Sequence, residues 1–317
     1  MFIIYYLTYA CWFLLSLLPL RMLYVLSDVL YVLMTSVVRY RRKVVRNNIV
    51  SSFPEKTTAE HRRIERDFYH FLCDYFVETL KMMTMSERQM RKRMTFTGLE
   101  DLHRCLKEGQ SAAIYLGHYG CWEWLTSLPY WMPDDVQFAQ VYHPLENKRF
   151  DKLFKNMREQ RGSVSIAMQE LPRKLVEYRK AGKVICIGYI ADQVPTWTNI
   201  HHWLPFLHHD TPVLTGAEKL TRSAGHAVFY GEVTRIARGR YTCSMRQLTR
   251  HSKDLPPFEI TNIYFRELEK TIRQNPPYWL WSHNRWKRTH EEFDRRYKEV
   301  GGRVILRNDN TNNRKTI

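Results

Sequence analysis

None of the six cysteines in this 317-residue chain stands in a C-x-x-C pair, and their positions (11, 73, 105, 121, 186 and 243) follow no framework spacing. That excludes a disulfide scaffold, which a chain of this length does not need, and speaks against structural zinc held by cysteine. The pattern suits reduced thiols facing cytoplasm. Repeats and low-complexity linkers are missing too. Acidic residues are outnumbered: 32 Asp and Glu against 49 Lys and Arg leave a formal charge of +17. Such a balance favours an anionic partner, whether nucleic acid, an acidic protein or an anionic membrane surface. The bland alternative is a solvated basic face.

The amino terminus narrows that choice. FIIYYLTYACWFLLSLLPL (2–20) carries no charge, and MLYVLSDVLYVLMTSVV (22–38) carries only Asp28 before the basic run RYRRKVVR. With no basic residue ahead of the apolar run and no A-x-A-like site after it, a cleaved signal peptide fits poorly. A spanning helix needs about 20 apolar residues, so the first stretch qualifies and the second is marginal. The basic cluster predicts that the bulk of the chain lies on the cytoplasmic side. Two arrangements follow: one span and an interfacial helix, or a hairpin dipping into the bilayer. A buried soluble helix pair is the alternative. The expected division is a membrane anchor over 1–38, an α/β domain over 39–300 and a polar, disordered tail over 301–317.

Residues 55–84 predict a long helix whose stripe of Ile64, Phe68, Phe71, Leu72 and Tyr75 reads as core. From residue 99 strand-like runs at 112–117, 136–142, 164–168 and 184–190 alternate with helical patterns. Gly162, Gly182 and Gly225 read as helix stops, and Thr211–Pro212 as a helix start. Residues 226–236 and 240–248 read as a hairpin at one edge of the sheet, and 258–274 and 278–298 as helices. The fold class expected is α/β, a mainly parallel sheet flanked by helices, with a hydrophobic helical segment at the amino terminus.

Within the first βα unit stands YLGHYGCWEW (115–124). The pattern H-x(4)-E is weak alone: 13 histidines and 32 acidic residues produce about one occurrence by chance, and this chain has two. His103 and Glu108 fall inside a charged helical pattern, where five residues separate side chains by about 140°. That pair reads as surface. His118 instead follows an apolar strand and Gly117, with Gly120 allowing a tight turn and Glu123 in the first turn of the next helix. A histidine at a strand's carboxyl end can take a proton from an attacking hydroxyl, with a carboxylate holding its tautomer. On these residues alone, a capping or core histidine beside an unrelated glutamate stays open.

GHYGCWEW, VYHPLENKRFDKL…MREQRG, ADQVP…LPF and NPPYWLWSHNRWK, in that order, resemble the lipid A late acyltransferases, the lauroyl/myristoyl acyltransferase family. RRKVVRNNIVSSFP (41–54) looks like that family's early N-(L/I)-x-x-x-F-P segment, so the resemblance runs from about residue 40 to 290. It implies transfer of a fatty acyl chain from acyl carrier protein to a hydroxyl of a lipid A precursor, at the cytoplasmic face of the bacterial inner membrane. By resemblance His118 is the general base and Glu123 its partner, with no covalent acyl-enzyme, no cofactor beyond the carrier's phosphopantetheine and no metal. Cys121 would be a bystander, and backbone N–H groups around Gly120 are candidate oxyanion donors. Tyr142, His143 and Asn147 in VYHPLEN and Asp192 and Gln193 in ADQ are candidate substrate-binding residues. Arg285 and Lys287 are candidates for phosphate or carrier contacts, against a basic amphipathic helix resting on the membrane. The chain departs from the family at His143 and Cys121, where arginine and asparagine are common, and at Asn284–Arg285, where two arginines are. The loss of arginine at 143 leaves open how the acceptor's charge is read.

The expected partners are thus acyl carrier protein, the lipid A precursor and anionic inner-membrane lipid, not nucleic acid. Three rivals stand beside that reading. A glycerophospholipid acyltransferase has an F-P-E-G-T-R-like segment after its histidine, whereas FPEKT (53–57) precedes His118. Acylation of another glycolipid would keep the fold and dyad and change only the acceptor pocket. A non-catalytic basic membrane-bound binder of anionic lipid or nucleic acid is the third; the many aromatics could suit single-stranded nucleic acid, but they fall mostly in apolar periodic runs that imply core. HHWLPFLHH (201–209) tempts a metal reading, which the resemblance disfavours.

Overall fold

A computed structural model describes residues 2–160 and 162–307. The amino-terminal helices are α1 (Phe2–Leu17), α2 (Leu20–Val32, continuing through a π-helical turn, Leu33–Val37), α3 (Arg42–Ser52), α4 (Thr58–Lys81) and α5 (Glu87–Arg91). Next come β1 (Met94–Thr97), α6 (Glu100–Lys107), β2 (Ala112–Leu116), a 3₁₀ run over Trp122–Trp131, β3 (Gln137–Tyr142), α7 (Lys148–Glu159), β4 (Ser163–Ala167), α8 (Leu171–Lys180) and β5 (Ile185–Ile190). The rest is β6 (Trp203–Phe206), β7 (His209–Pro212), α9 (Gly216–Ala224), β8 (Ala227–Ala237), β9 (Arg240–Thr249), α10 (Glu259–Gln274), α11 (His290–Arg296), β10 (Tyr297–Val300) and β11 (Arg303–Leu306).

The central sheet has the order β1-β9-β8-β2-β5-β3-β4, parallel throughout except between β8 and β9. The chain is therefore α/β with a mainly parallel sheet between helices. Local chemistry explains the elements that frame it. Thr57 and Glu60 form a reciprocal capping box at the start of α4, whose stripe of Ile64, Phe68, Phe71 and Leu72 is buried. Asn147 caps α7, accepting from the N–H groups of Arg149 and Phe150. Gly162, Gly182 and Gly225 take positive φ where α7, α8 and α9 stop.

Several expectations are corrected. The β8–β9 hairpin is interior, because β1, unread in the sequence, pairs with β9 and forms the edge. Thr211–Pro212 ends β7, and α9 begins four residues later. Residues 278–298 are not a helix: a 3₁₀ turn at Pro276–Tyr278 and irregular chain precede the short α11. The supposed tail starts late, since β10 and β11 pair as a hairpin, and residues 308–317 lie outside the described residues. Among the described residues it is Leu20–Val37, not the first apolar stretch, that is long and apolar enough to cross a membrane; α1 is shorter.

The segment 278–283 is an irregular strap that locks two parts of the chain. Its backbone forms a β-bridge between Trp279 and Tyr119, and the side-chain amide of Asn48 on α3 donates to the carbonyls of Trp281 (2.9 Å) and His283 (2.8 Å). Asn48 is the asparagine of the N-(I)-x-x-x-F-P segment, so that pattern has a structural meaning: it holds the strap. Asn48→Ala leaves two carbonyls without this donor, one of them buried, and should cost about 1–3 kcal/mol. Chemical denaturation of the purified chain beside wild type measures it.

Candidate active site

β2 delivers His118 to the carboxyl end of the sheet, and the strap fixes the loop that follows. The Leu280 N–H donates to the His118 carbonyl (3.1 Å), and the Gly120 N–H donates to the Tyr278 carbonyl (2.9 Å). Gly120 has φ +61°, and a Cβ there would stand 2.7 Å from Val233 Cγ1. Only glycine turns the chain so close to β8. Of the backbone N–H groups around Gly120 that the sequence offers as oxyanion donors, that of Gly120 itself already serves Tyr278.

The partner of His118 is Asp192, two residues beyond β5. His118 Nδ1 lies 2.5 Å from Asp192 Oδ1, while the other carboxylate oxygen accepts from the His118 backbone N–H (2.9 Å) and from Trp279 Nε1 (2.8 Å). Asp192 is 2% exposed and the His118 side chain 19%. Burial pushes the Asp192 carboxyl up, but the His118 charge and the hydrogen bonds from His118 and Trp279 outweigh it and hold the group at about 2. An ionised Asp192 holds the proton on Nδ1 and leaves Nε2 with its lone pair towards the cavity. The Gln193 side-chain amide lies 3.3 Å from that Nε2.

Glu123 does something else. Both of its oxygens accept from Arg158 on α7, at 2.8 and 2.7 Å. The place expected for Glu123, on His118 Nδ1, is occupied by Asp192. A five-residue spacing made Glu123 look like the partner, but Asp192 arrives from 74 residues away. Both Glu123 and Arg158 line the same cavity as His118.

That cavity follows from the strand register. β3 and β5 pair only up to Gln140 and Gly188, although they run on to Tyr142 and Ile190, so their carboxyl ends diverge. From there β3 connects through α7 to β4, while β5 connects through α9 to β8 on the other side of the sheet. Such a reversal is where open α/β sheets place their ligands. The cavity has a volume of about 1100 Å³ and reaches both faces: Gly188 and Tyr189, which are consecutive, both line it. Its walls are mainly apolar, with Trp122, Leu125 and Phe154 on one face and Leu171 and Leu220 on the other. Tyr75, read as core, stacks on Trp122 (4.0 Å between centroids), and Trp122 meets the His118 ring edge-on.

The remaining candidates fall in different places. Tyr142 and exposed His143 line the cavity, and Tyr142 donates to Asp151 (3.3 Å). Asn147 is the α7 cap. Lys287 is exposed, but Arg285 is fully buried and donates to the Pro212 carbonyl (2.8 Å), with Nε and Nη1 unpaired. Burial pulls its guanidinium down to about 10 against the opposing pull of Asp192. It can act on the site only through its field, and its neighbourhood is not the amphipathic helix of the alternative reading. His283, which burial pulls down to about 4, accepts from the Val194 N–H (3.2 Å) and so braces the Asp192 loop. Burial drives the Cys121 thiol far above its usual range, which leaves it a poor nucleophile. Among the described residues no group of three His, Cys, Asp or Glu side chains could hold a metal ion. In 201–209, His202 pairs with Asn262 and His209 with Ser51.

Compared with known families, residues 1–288 fit the pattern of the bacterial lipid A biosynthesis acyltransferases. No curated protein matches the chain.

The Asp192 pair has a pH signature. A carboxyl depressed from 3.8 to about 2 on folding contributes roughly 2 kcal/mol, fully present above the unfolded value and lost as pH falls through about 2. The stability of Asp192→Asn should therefore trail wild type by about that amount at pH 7, with the gap closing between pH 4 and pH 2. Denaturant titrations across that range test it.

Proposed function

Because the chain belongs to the bacterial lipid A biosynthesis acyltransferase family, we propose that it moves a fatty acyl chain from acyl carrier protein to a hydroxyl of a lipid A precursor. The site of transfer is the membrane surface, on the cytoplasmic face of the inner membrane. What carries this reading is a histidine held by a buried, ionised aspartate at the mouth of a large apolar cavity. The +17 charge suits an acidic carrier protein and a phosphorylated acceptor.

In this mechanism the acceptor hydroxyl lies between His118 Nε2 and the thioester carbonyl. Nε2 takes the hydroxyl proton as the oxygen attacks, and the Nδ1–H bond to Asp192 stabilises the imidazolium. The ester C–O bond forms, the C–S bond breaks, and the thiol leaves with the proton returned from Nε2. No covalent acyl-enzyme is needed. The Gln193 amide, beside Nε2, is the side-chain donor best placed to meet the oxyanion. Glu123 holds Arg158 in the cavity wall, where the guanidinium presents a cation to the substrate.

Acyl transfer from a labelled carrier thioester to a tetra-acyl lipid A precursor tests the assignment. His118→Ala should lower turnover by about 10²-fold or more. Asp192→Asn should lower it by about as much, because the amide carries no charge to stabilise the imidazolium and can turn its NH2 to Nδ1, which favours the wrong tautomer. Glu123→Gln should cost less in turnover than Asp192→Asn. The reverse ranking would return Glu123 to the role of partner.

Gly188 gives a second test. A Cβ there would meet only Leu116 Cδ1 at 3.8 Å and the Ala139 carbonyl at 3.9 Å, so a side chain fits and would fill the cavity. Its register partner Ile114 is four residues before His118, which places it roughly 13 Å below the histidine along the strands. Gly188→Leu should lower transfer of the longest accepted chain about tenfold or more while a shorter chain keeps its rate. A series of carrier thioesters of graded length reads this out.

A further inference from the structure

α2 lies along α4 from end to end, with the two chains running in opposite directions. Tyr24 donates to Glu78 (2.8 Å), Ser27 donates to Asp74 (2.7 Å), and Tyr31 stacks on His70 with centroids 3.5 Å apart. Beyond them Tyr69 donates to the Tyr40 carbonyl (2.7 Å), and Arg42 and Arg46 pair with Glu65. Arg238, from the β8–β9 turn, bridges Asp28 on α2 and Asp74 on α4, both at 2.6 Å. At the far end Lys81 of α4 donates to the carbonyls of Ser16 (2.7 Å) and Leu18 (3.0 Å), capping α1.

These contacts decide what α2 can do in a bilayer. Its 18 residues make about 27 Å of helix, close to the thickness of the hydrocarbon core. If α2 stood upright through that core, α4 would have to stand there with it, carrying Asp74 and Glu78 together with Arg235 and Arg238, which pair with Asp74. Charged side chains at such depth are costly, and this many on one face exceed what a single apolar helix offsets.

The outward faces are apolar. On α1, Leu7 is 65% and Leu14 64% exposed; on α2, Val25 is 65% and Val32 55% exposed. Just past them Arg39, Arg41 and Lys43 are exposed. Apolar flank beside basic end is the design of a helix lying in the interface of an anionic membrane. α1 also rests on α7 through Trp12 against Phe150 and Phe154, and Phe154 lines the catalytic cavity.

We infer that α1 and α2 do not cross the membrane but lie side-on in one leaflet of an anionic phospholipid bilayer, with the amino terminus on the same side as the catalytic domain. This does not depend on the catalytic reading. It brings the cavity wall to the level of the lipid, so an acceptor can enter sideways from the leaflet.

The full-length chain with Cys11→Ser provides the background, since Cys11 is exposed and the other cysteines are buried. A cysteine appended ahead of Met1 and, separately, Lys298→Cys on the domain are probed with a membrane-impermeant maleimide in vesicles of either orientation from expressing bacteria. Both should label in inside-out vesicles and neither in right-side-out ones. Labelling of the two from opposite sides overturns the inference. Fluorophores at Met22→Cys, Val29→Cys and Val37→Cys, quenched by lipids with quenchers at known depths, give an independent readout. A flat helix places all three at similar depth in one leaflet. A deep Val29 between two shallow ends would mean a span, and no quenching at any of the three would mean no insertion; either result sinks the inference.

Discussion

The carboxylate of Asp192 is the point on which the site depends. It is buried, yet accepts from the His118 ring, the His118 backbone and the Trp279 indole, which come from β2's end and the strap. A buried anion without such donors would neutralise itself. With them it stays charged, and its charge fixes which nitrogen of His118 is basic. Arg285 adds a buried positive field nearby, and His283 props the same loop from behind. Much of what surrounds the histidine is therefore organised around the aspartate, with tryptophan and arginine held inside the protein to serve it.

The cavity and the amino-terminal helices follow a related economy of placement. Diverging carboxyl ends of β3 and β5 open a cleft at the reversal of the connections, and apolar side chains from both sheet faces line it. The polar requirement is confined to a small rim around His118, Gln193 and the Glu123–Arg158 pair. Beside it, α1 touches the same α7 that forms one wall. In the side-on placement proposed above, an apolar chain would pass from lipid to cavity without crossing the charged surface of α4.

Much of the scaffold was legible because it rests on local signals. Apolar runs bounded by glycine stops located β2 to β5, and the position of His118 after a strand separated it from His103, which sits in a charged helix. Partner choice was not legible, because it is tertiary. Glu123 is near His118 in sequence, but a cation from α7 engages it, and Asp192 reaches the histidine across 74 residues. The ADQ segment was the available signal, a carboxylate at the end of a strand adjacent to β2. Arg285 looked like a surface cation because charge is read as exposure, whereas the fold buries it against Pro212 and Phe265. The strap was read as the start of a helix over 278–298; in fact its tryptophan indoles are anchored to Asp192 and to the Pro276 carbonyl. β1 was missed because four residues carry too little periodicity to stand out.

The strap also sets a time order. His118 and Asp192 are both made before residues 278–283, which are the last of the site to leave the ribosome. Until they arrive, the loop after His118 lacks the bridge through Tyr119, and Asp192 lacks its indole donor. A nascent or truncated chain ending before Trp279 thus carries its histidine and aspartate without the pieces that align them. The distance in sequence that hid the site from local reading also makes its assembly wait for nearly the whole chain.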